Sequence, residues 1–278
     1  MDTSQLRPVN FKIDGQLLSL SNVKSFWIWH GNIYNTFVNK FKENNYPDGV
    51  LQAFKSDRKT LMEYVKYCIE SKSGLGKFSK QNSNKLIYLS KAQEIGMNIP
   101  ETFVINNKKD LTKLIEENGL LITKAIQDNP TVNLDNHWYL QYTEKISEKF
   151  AETMPESFFL SLFQKLVEKF VDVRVFYLDG ECFGIAIFSQ SGKSSSIDLR
   201  NRPEIPNRQV PIKLPTQLLE KIENFMNIMN HRIGSLDFVL TKDGKFIFLE
   251  LNPVGQIGFV SFNSNTYLEK KIAQKLLN

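Results

Sequence analysis

Three oxygen-bearing side chains, Asp237, Glu250 and Asn252, have the types and spacing to share one site. They lie in two alternating runs, Ser235–Leu240 and Phe246–Asn252, joined by Thr241-Lys-Asp243-Gly244-Lys245. Asp-Gly between two such runs predicts a tight hairpin. A two-residue turn at Asp243-Gly244 would pair Lys242 with Lys245, Leu240 with Ile247 and Asp237 with Glu250. Alternation then puts Asn252 on the face of Glu250. Two carboxylates directly opposite each other repel. Their neighbours Phe238, Phe248, Leu249 and Leu251 make at least one face apolar. A buried carboxylate pair needs a proton, a cationic side chain or a metal. The other reading is a surface Asp and Glu, with Asn252 opening a turn before Pro253. A metal held by oxygen alone would be Mg²⁺ or Mn²⁺ rather than zinc. Mg²⁺ with so few protein ligands keeps phosphate or water in its other positions.

Two cations fit a phosphate ligand. Lys124 interrupts the apolar run Leu120–Ile126. It either snorkels to solvent or aims at an anion. Arg174 sits inside Val171–Leu178, where a guanidinium suits bidentate binding of phosphate or carboxylate. Pairing near Asp172 and a surface position are the alternatives. Arg200 and Arg208 fall in a polar stretch, Gln190–Gln209, that reads as a mobile loop. The phosphate loop, dinucleotide fingerprint, zinc-protease helix and nucleophile-elbow motifs are all missing. His30, His137 and His231 are scattered and read as structural, so acyl-enzyme chemistry is unsupported.

The elements that must position these residues fall into three regions. Residues 1–80 hold strand text at Val9–Ile13 and Lys24–Trp29, helical text at Asn35–Asn44 and Lys59–Ser71, and a closing loop, Ser71–Lys77. Residues 81–145 form a small α+β unit. It has a helix from Asn84 stopped by Gly96, a strand led by Ile99-Pro100, a helix over Lys108–Asn118 and a strand over Leu120–Ile126. Residues 146–278 hold a hairpin turning at Asp179-Gly180, an amphipathic helix over Leu218–Met229, the second hairpin and a closing helix at Leu268–Leu277.

Composition limits the classes. The 278 residues are 41% hydrophobic and 12% aromatic, too apolar for a disordered chain. The net charge of +5 comes from scattered lysines, which read as a soluble surface rather than a nucleic-acid footprint. No run approaches the roughly 18 apolar residues of a membrane span. The start at Met1 lacks the pattern of a signal peptide. The expectation is a cytoplasmic protein that uses neither nucleic acid nor membrane. Cys68 and Cys182 cannot make a disulfide framework or a zinc cage, and read as small buried hydrophobes.

Gly234-Ser-Leu-Asp237-Phe and Phe248-Leu-Glu250-Leu-Asn252-Pro-Val-Gly-Gln256 resemble the ATP-grasp superfamily. There an Asp on one strand and a Glu-x-Asn on the next hold Mg²⁺ against ATP. The longer run Leu249–Ser261, followed by Tyr267-Leu-Glu-Lys-Lys-Ile-Ala273, is similar to the graspetide synthetases, and most to the grasp-with-spasm peptide maturases. Supporting text includes Asn84-Lys-Leu86, Ile99-Pro-Glu-Thr102, Thr123-Lys124, Phe163-Gln164, Asp172-Val-Arg174, Ala186–Gln190, Asp198-Leu-Arg200 and Pro206–Pro215. The match runs in order from about residue 20 to the end.

The resemblance implies an α/β (α+β) ATP-grasp fold. It makes Asp237, Glu250 and Asn252 the Mg²⁺ ligands and Lys124 a phosphate contact of ATP. Gln164, Lys165 and Leu166 become the segment around adenine, and Arg174 and Arg200 bind phosphate or the reacting carboxylate. The loop would close over the site. The implied activity is an ATP-grasp ligase that links Asp or Glu side chains of a ribosomal precursor peptide to Thr or Ser hydroxyls as esters, or to Lys as amides. A homodimer is the family's habit. The alternatives are a carboxylate–amine ligase acting on a small molecule or protein tail, and a non-catalytic peptide-binding relative. Two departures stand out. Relatives carry an Arg-Arg pair after Trp-Tyr where this chain has Phe26-Trp-Ile-Trp-His-Gly31. They also begin with an additional strand and helix, so a shortened amino-terminal pre-ATP-grasp domain is expected.

Overall fold

The computed structural model describes residues 10–13, 15–29, 46–78, 84–126, 131–135, 137–140, 143–188 and 208–277. The expected helix at Asn35–Asn44 lies outside them, as do Arg200 and most of the expected loop. The chain divides into two compact units, Met1–Gln81 with Lys270–Asn278, and Asn82–Glu269.

In the first unit, strands β1 (Asn10–Ile13) and β2 (Gln16–Ser19) pair antiparallel. Strand β3 (Ser25–Trp27) precedes a long helix, α1 (Asp48–Glu70), and β4 (Ser73–Leu75) then runs parallel to β3. Ser73–Leu75 thus pairs as a strand where the text of Ser71–Lys77 predicts a loop. Parallel pairing needs a crossover, and α1 supplies it. The Phe26 ring fills the space beside Gly74, so no side chain fits there. At the Phe26–Gly31 departure, the Trp27 and Trp29 rings stack with centroids 5.4 Å apart.

The second unit opens with helix α2 (Lys85–Glu94), capped by Asn84 Oδ1, which accepts from Leu86 N at 3.1 Å and Ile87 N at 3.2 Å. It continues through β5 (Thr102–Asn107), α3 (Lys108–Asn118), β6 (Leu121–Lys124), β7 (Thr131–Leu134), β8 (His137–Leu140), β9 (Glu144–Ile146), α4 (Glu148–Thr153) and β10 (Ser157–Lys165). Four of these strands form a sheet in the order β5-β10-β6-β9. Asn107 caps α3 by accepting from Asp110 N at 2.9 Å, and Gly119, at φ 75°, ends it. Leu111, Ile115, Leu121, Ile146 and Phe163 close the core on this sheet.

The remaining elements are β11 (Lys169–Leu178), β12 (Glu181–Phe188), β13 (Arg208–Ile212), α5 (Thr216–Ile228), β14 (Ile233–Thr241), β15 (Phe246–Asn252), α6 (Ile257–Ser264) and α7 (Leu268–Leu277). Strands β13-β12-β11-β14-β15 make a five-stranded antiparallel sheet. The β11–β12 hairpin turns on Asp179-Gly180 as its sequence predicts, with φ 49° and 93°. Arg208 and Gln209 belong to β13, not to a loop. Helix α6 carries no side-chain cap and its apolar run shows little periodicity, so the sequence text did not announce it.

Alternation sorts the two faces of this sheet. Val173, Val175, Tyr177, Leu236, Phe238, Phe248 and Leu251 join Tyr88, Leu89 and Ala92 of α2 and Ile222, Phe225 and Met226 of α5 in one core. Phe225 and Phe248 meet edge-on at 5.2 Å, and Phe238 and Phe248 at 5.5 Å. Cys182 packs against the same core but, like Cys68, is half-buried rather than buried as its type suggests. Burial, reinforced by Glu223, pushes its thiol from 9.0 up to about 12. The neutral thiol is therefore the folded form, and the stability it contributes is lost as pH rises from 9.0 towards about 12. Alkylation of the native protein at about pH 8 is expected to leave Cys182 unmodified, and denaturant to expose it. Peptide mass spectrometry reads this directly. Labelling of Cys182 at equal rates in both states would contradict the burial.

Candidate active site

The opposite face of the five-stranded sheet carries the polar groups. Arg174 on β11 is register-paired with Asp237 on β14, and Asp237 with Glu250 on β15. The three form a row across adjacent strands. Arg174 Nε donates to Asp237 Oδ1 at 2.7 Å and Nη2 to Oδ2 at 2.8 Å, a bidentate pair. The side chains are 23% and 21% exposed, so solvent screens this pair only in part. Asp237, with help from Glu250 and Asp172, raises the Arg174 pKa above its ordinary value, and the guanidinium stays charged. It lies 5.5 Å from the centre of the Phe259 ring on α6. Asp172 does not take Arg174; it accepts from Lys169 at 2.7 Å.

The Asp237–Glu250 pairing matches the expected one, but by a different route. The turn takes three residues, not two. Thr241 pairs with Lys245, Thr241 N donating to Lys245 O at 3.0 Å, and Gly244 sits at φ 82°. Leu240 therefore faces Phe246 rather than Ile247. A bulge at Leu249 on β15, opposite the Asp237–Phe238 step of β14, then restores the expected pairing. The bulge also explains the apolar face. Phe248 and Leu251 are an odd number of residues apart and could not share a face in a regular strand, yet both reach the core. Asn98 secures this edge, its carbonyl accepting from Phe248 N at 2.8 Å.

Each carboxylate of the row has a cation. Lys85 Nζ lies 3.6 Å from Glu250 Oε2 and 3.4 Å from Ala125 O, with its side chain 9% exposed. A lysine in the first turn of a helix ordinarily points to solvent, so apart from its place in Asn84-Lys-Leu86 the sequence carries no signal of a site at Lys85. The Asn84 cap in front of it and Tyr88 behind it, edge-on to Phe225 at 6.2 Å, are the signals that fix its helix. Asn252 is exposed on the face of Glu250, and its Oδ1 accepts from Val254 N at 3.2 Å. Ser235, its cross-strand partner, is 1% exposed, with an Oγ that finds no partner.

The other candidates lie on the four-stranded sheet. Lys124 ends β6, next to the carbonyl that Lys85 reaches, and is half-buried. Gln164, 1% exposed, donates from Nε2 to Thr102 Oγ1 at 2.9 Å, while its Oε1 has no hydrogen-bond partner. An amide oxygen buried in that way is an acceptor awaiting a donor. Lys165 ends the strand, in an ion pair with Glu101 at 3.3 Å, and Leu166 N donates to Leu120 O at 2.9 Å. Lys85, Glu250, Asp237 and Arg174 are thus linked by direct contacts; Lys124 and Asn252 adjoin them, and Gln164–Leu166 stand on the neighbouring sheet.

Among the described residues no cluster of three His, Cys, Asp or Glu could hold a metal. Asp237, Glu250 and Asn252 supply two carboxylates and an amide oxygen. That set fits a hard cation that completes its shell from phosphate and water, and does not fit a closed protein cage.

Solved structures with the same arrangement of elements include ATP-grasp ligases. A Chryseobacterium gregarium RiPP-associated ATP-grasp ligase, solved with ADP and a leader and core peptide, superposes with a TM-score of 0.79 at 21% identity, over 97% of this chain and 84% of that one. The chain has the ATP-grasp fold. The macrocyclase MdnC of Microcystis aeruginosa MRC, solved with the precursor peptide MdnA, gives 0.74 at 19% identity over 95% and 81%. The ATP-grasp ligase PsnB, solved with a phosphomimetic variant of its minimal precursor, Mg and ADP, gives 0.64 at 16% identity over 91% and 77%. No protein-family model and no curated protein matches the sequence. The ATP-grasp fold expected from the Asp237 and Glu250-x-Asn252 text is therefore present. Among the described residues no helix is long and apolar enough to cross a membrane.

Proposed function

We propose that this chain is an ATP- and Mg²⁺-dependent macrocyclase acting on a ribosomal precursor peptide. The observation that carries the reading is the row Arg174–Asp237–Glu250, flanked by Lys85 and Asn252, on one face of an ATP-grasp sheet. Ligases of this fold solved with ADP and with leader and core peptides support the choice of ligands. An Asp or Glu carboxylate of the peptide attacks the γ-phosphorus of ATP and ADP leaves. A Thr or Ser hydroxyl, or a Lys amine, then attacks the acyl carbon and inorganic phosphate leaves. The water lost from the peptide ends in phosphate, so charges and atoms balance. Arg174 and Arg200 hold the transferred group and the acyl phosphate. Asp237, Glu250 and Asn252 hold Mg²⁺, which offsets charge on phosphate oxygens. Lys85 and Lys124 bind the nucleotide phosphates, and Gln164, Lys165 and Leu166 border adenine. Both reacting groups belong to one peptide, so binding it folded makes ring closure effectively unimolecular.

Incubation with a candidate precursor rich in Thr and Asp/Glu, ATP and Mg²⁺ is expected to form ADP and remove one water mass per ring. ADP formation driven by a free amino acid, with the peptide unchanged, would overturn the reading. That outcome would favour a small-molecule carboxylate–amine ligase.

A further inference from the structure

After β15 the chain turns back over the face that carries Asp237 and Glu250, and the turn ends on Ser235. Gly255 N donates to Asn252 O at 3.1 Å and Val254 N to Asn252 Oδ1 at 3.2 Å, so the turn and the Asn252 side chain are held as one unit. A methyl group on Gly255 would overlap both Oγ and Cβ of Ser235 and would lie 3.2 Å from Asn252 O. The backbone of Gly255 is not in the left-handed region, so close approach, not φ, is what demands glycine here. The Ser235 hydroxyl is buried without a partner, an arrangement that does not favour stability. What the spot uses is smallness on both sides.

We propose that Gly255 and Ser235 form a positioning contact for Asn252, whose closeness sets how far the Asn252 amide reaches over Asp237 and Glu250. The proposal rests on the reading of Asn252 as a metal ligand. Any side chain at 255 lifts the Asn252–Gly255 turn from the sheet and draws the amide oxygen away from the carboxylates. The relief is specific. Only loss of the Ser235 Cβ, not of its hydroxyl alone, makes room for an alanine at 255.

The test is Mn²⁺ binding to the full chain in the presence of ADP, read without turnover as the electron paramagnetic resonance signal of free Mn²⁺. Thermal melting reports folding. Wild-type protein should bind Mn²⁺ with ADP, and Asn252→Ala should weaken that binding; failure of either overturns the metal-site reading, and this contact with it. Gly255→Ala should raise the apparent Mn²⁺ dissociation constant on the order of 10-fold, as disturbed outer-shell support does. Metal-free ADP binding should stay the same. Ser235→Gly with Gly255→Ala should return the Mn²⁺ affinity close to wild type, and Ser235→Ala with Gly255→Ala should not. If Gly255→Ala does not fold, the Ser235→Gly double variant must fold and bind Mn²⁺. Unchanged affinity in Gly255→Ala, or no recovery in that double variant while wild type binds, would overturn the positioning contact alone.

Discussion

Asp237→Asn is expected to lower ATP-dependent turnover by at least about 10²-fold, the scale of losing one well-placed electrostatic partner of a phosphoryl transfer. The substitution keeps the shape and removes the charge. Both carboxylate oxygens accept from Arg174, at 2.7 and 2.8 Å, so the change also strips Arg174 of its counter-ion. Melting should fall far less than activity, because both groups remain about one-fifth exposed. Asp243→Asn is the control. That carboxylate is exposed in the turn of the same hairpin, beside Lys245, and turnover should be unchanged by its loss. Steady-state ADP release with a candidate precursor peptide measures both. A turnover near wild type in Asp237→Asn, with folding intact, would remove the row from the chemistry.

The hairpin shows what a sequence can and cannot reveal. Alternation and the Asp-Gly signal predicted the Asp237–Glu250 pair, and the pair is present. Two features that patterning does not express cancel to produce it, a three-residue turn and a bulge one step before the carboxylates. The demand for a bulge was legible only in parity, since Phe248 and Leu251 cannot both be buried in a regular strand. The Arg174–Asp237 contact was beyond local reading, because it depends on β14 lying beside β11, and no local pattern fixes strand order. The same holds for Ser73–Leu75, whose short polar text pairs only because β3 lies alongside. In the text, the repulsion between Asp237 and Glu250 could be resolved by a proton, a metal or a cation. The fold brings a cation to each carboxylate, one from a neighbouring strand and one from a helix start far away in the chain.

Lys85→Met is expected to weaken ADP binding by roughly 10- to 100-fold, the effect of removing a charge-assisted phosphate contact of about 1.5–3 kcal/mol. Lys85 is the cation for which the sequence offers the least signal and the structure the most. It is nearly buried, tied to Ala125 O, and 3.6 Å from Glu250. Its ammonium stands beside the carboxylate row, where phosphates gathered by that row would meet a positive charge. Methionine keeps the length and apolar stem, so packing under α2 should survive. Glu250 is 35% exposed and can recover hydration, so the melting temperature should move little. Lys85→Arg should restore charge without restoring affinity, because a planar fork cannot replace a compact ammonium in a site this closed. Titration calorimetry with ADP separates these outcomes. A large melting loss with ADP affinity intact would make Lys85 a structural counter-ion of Glu250 and nothing more.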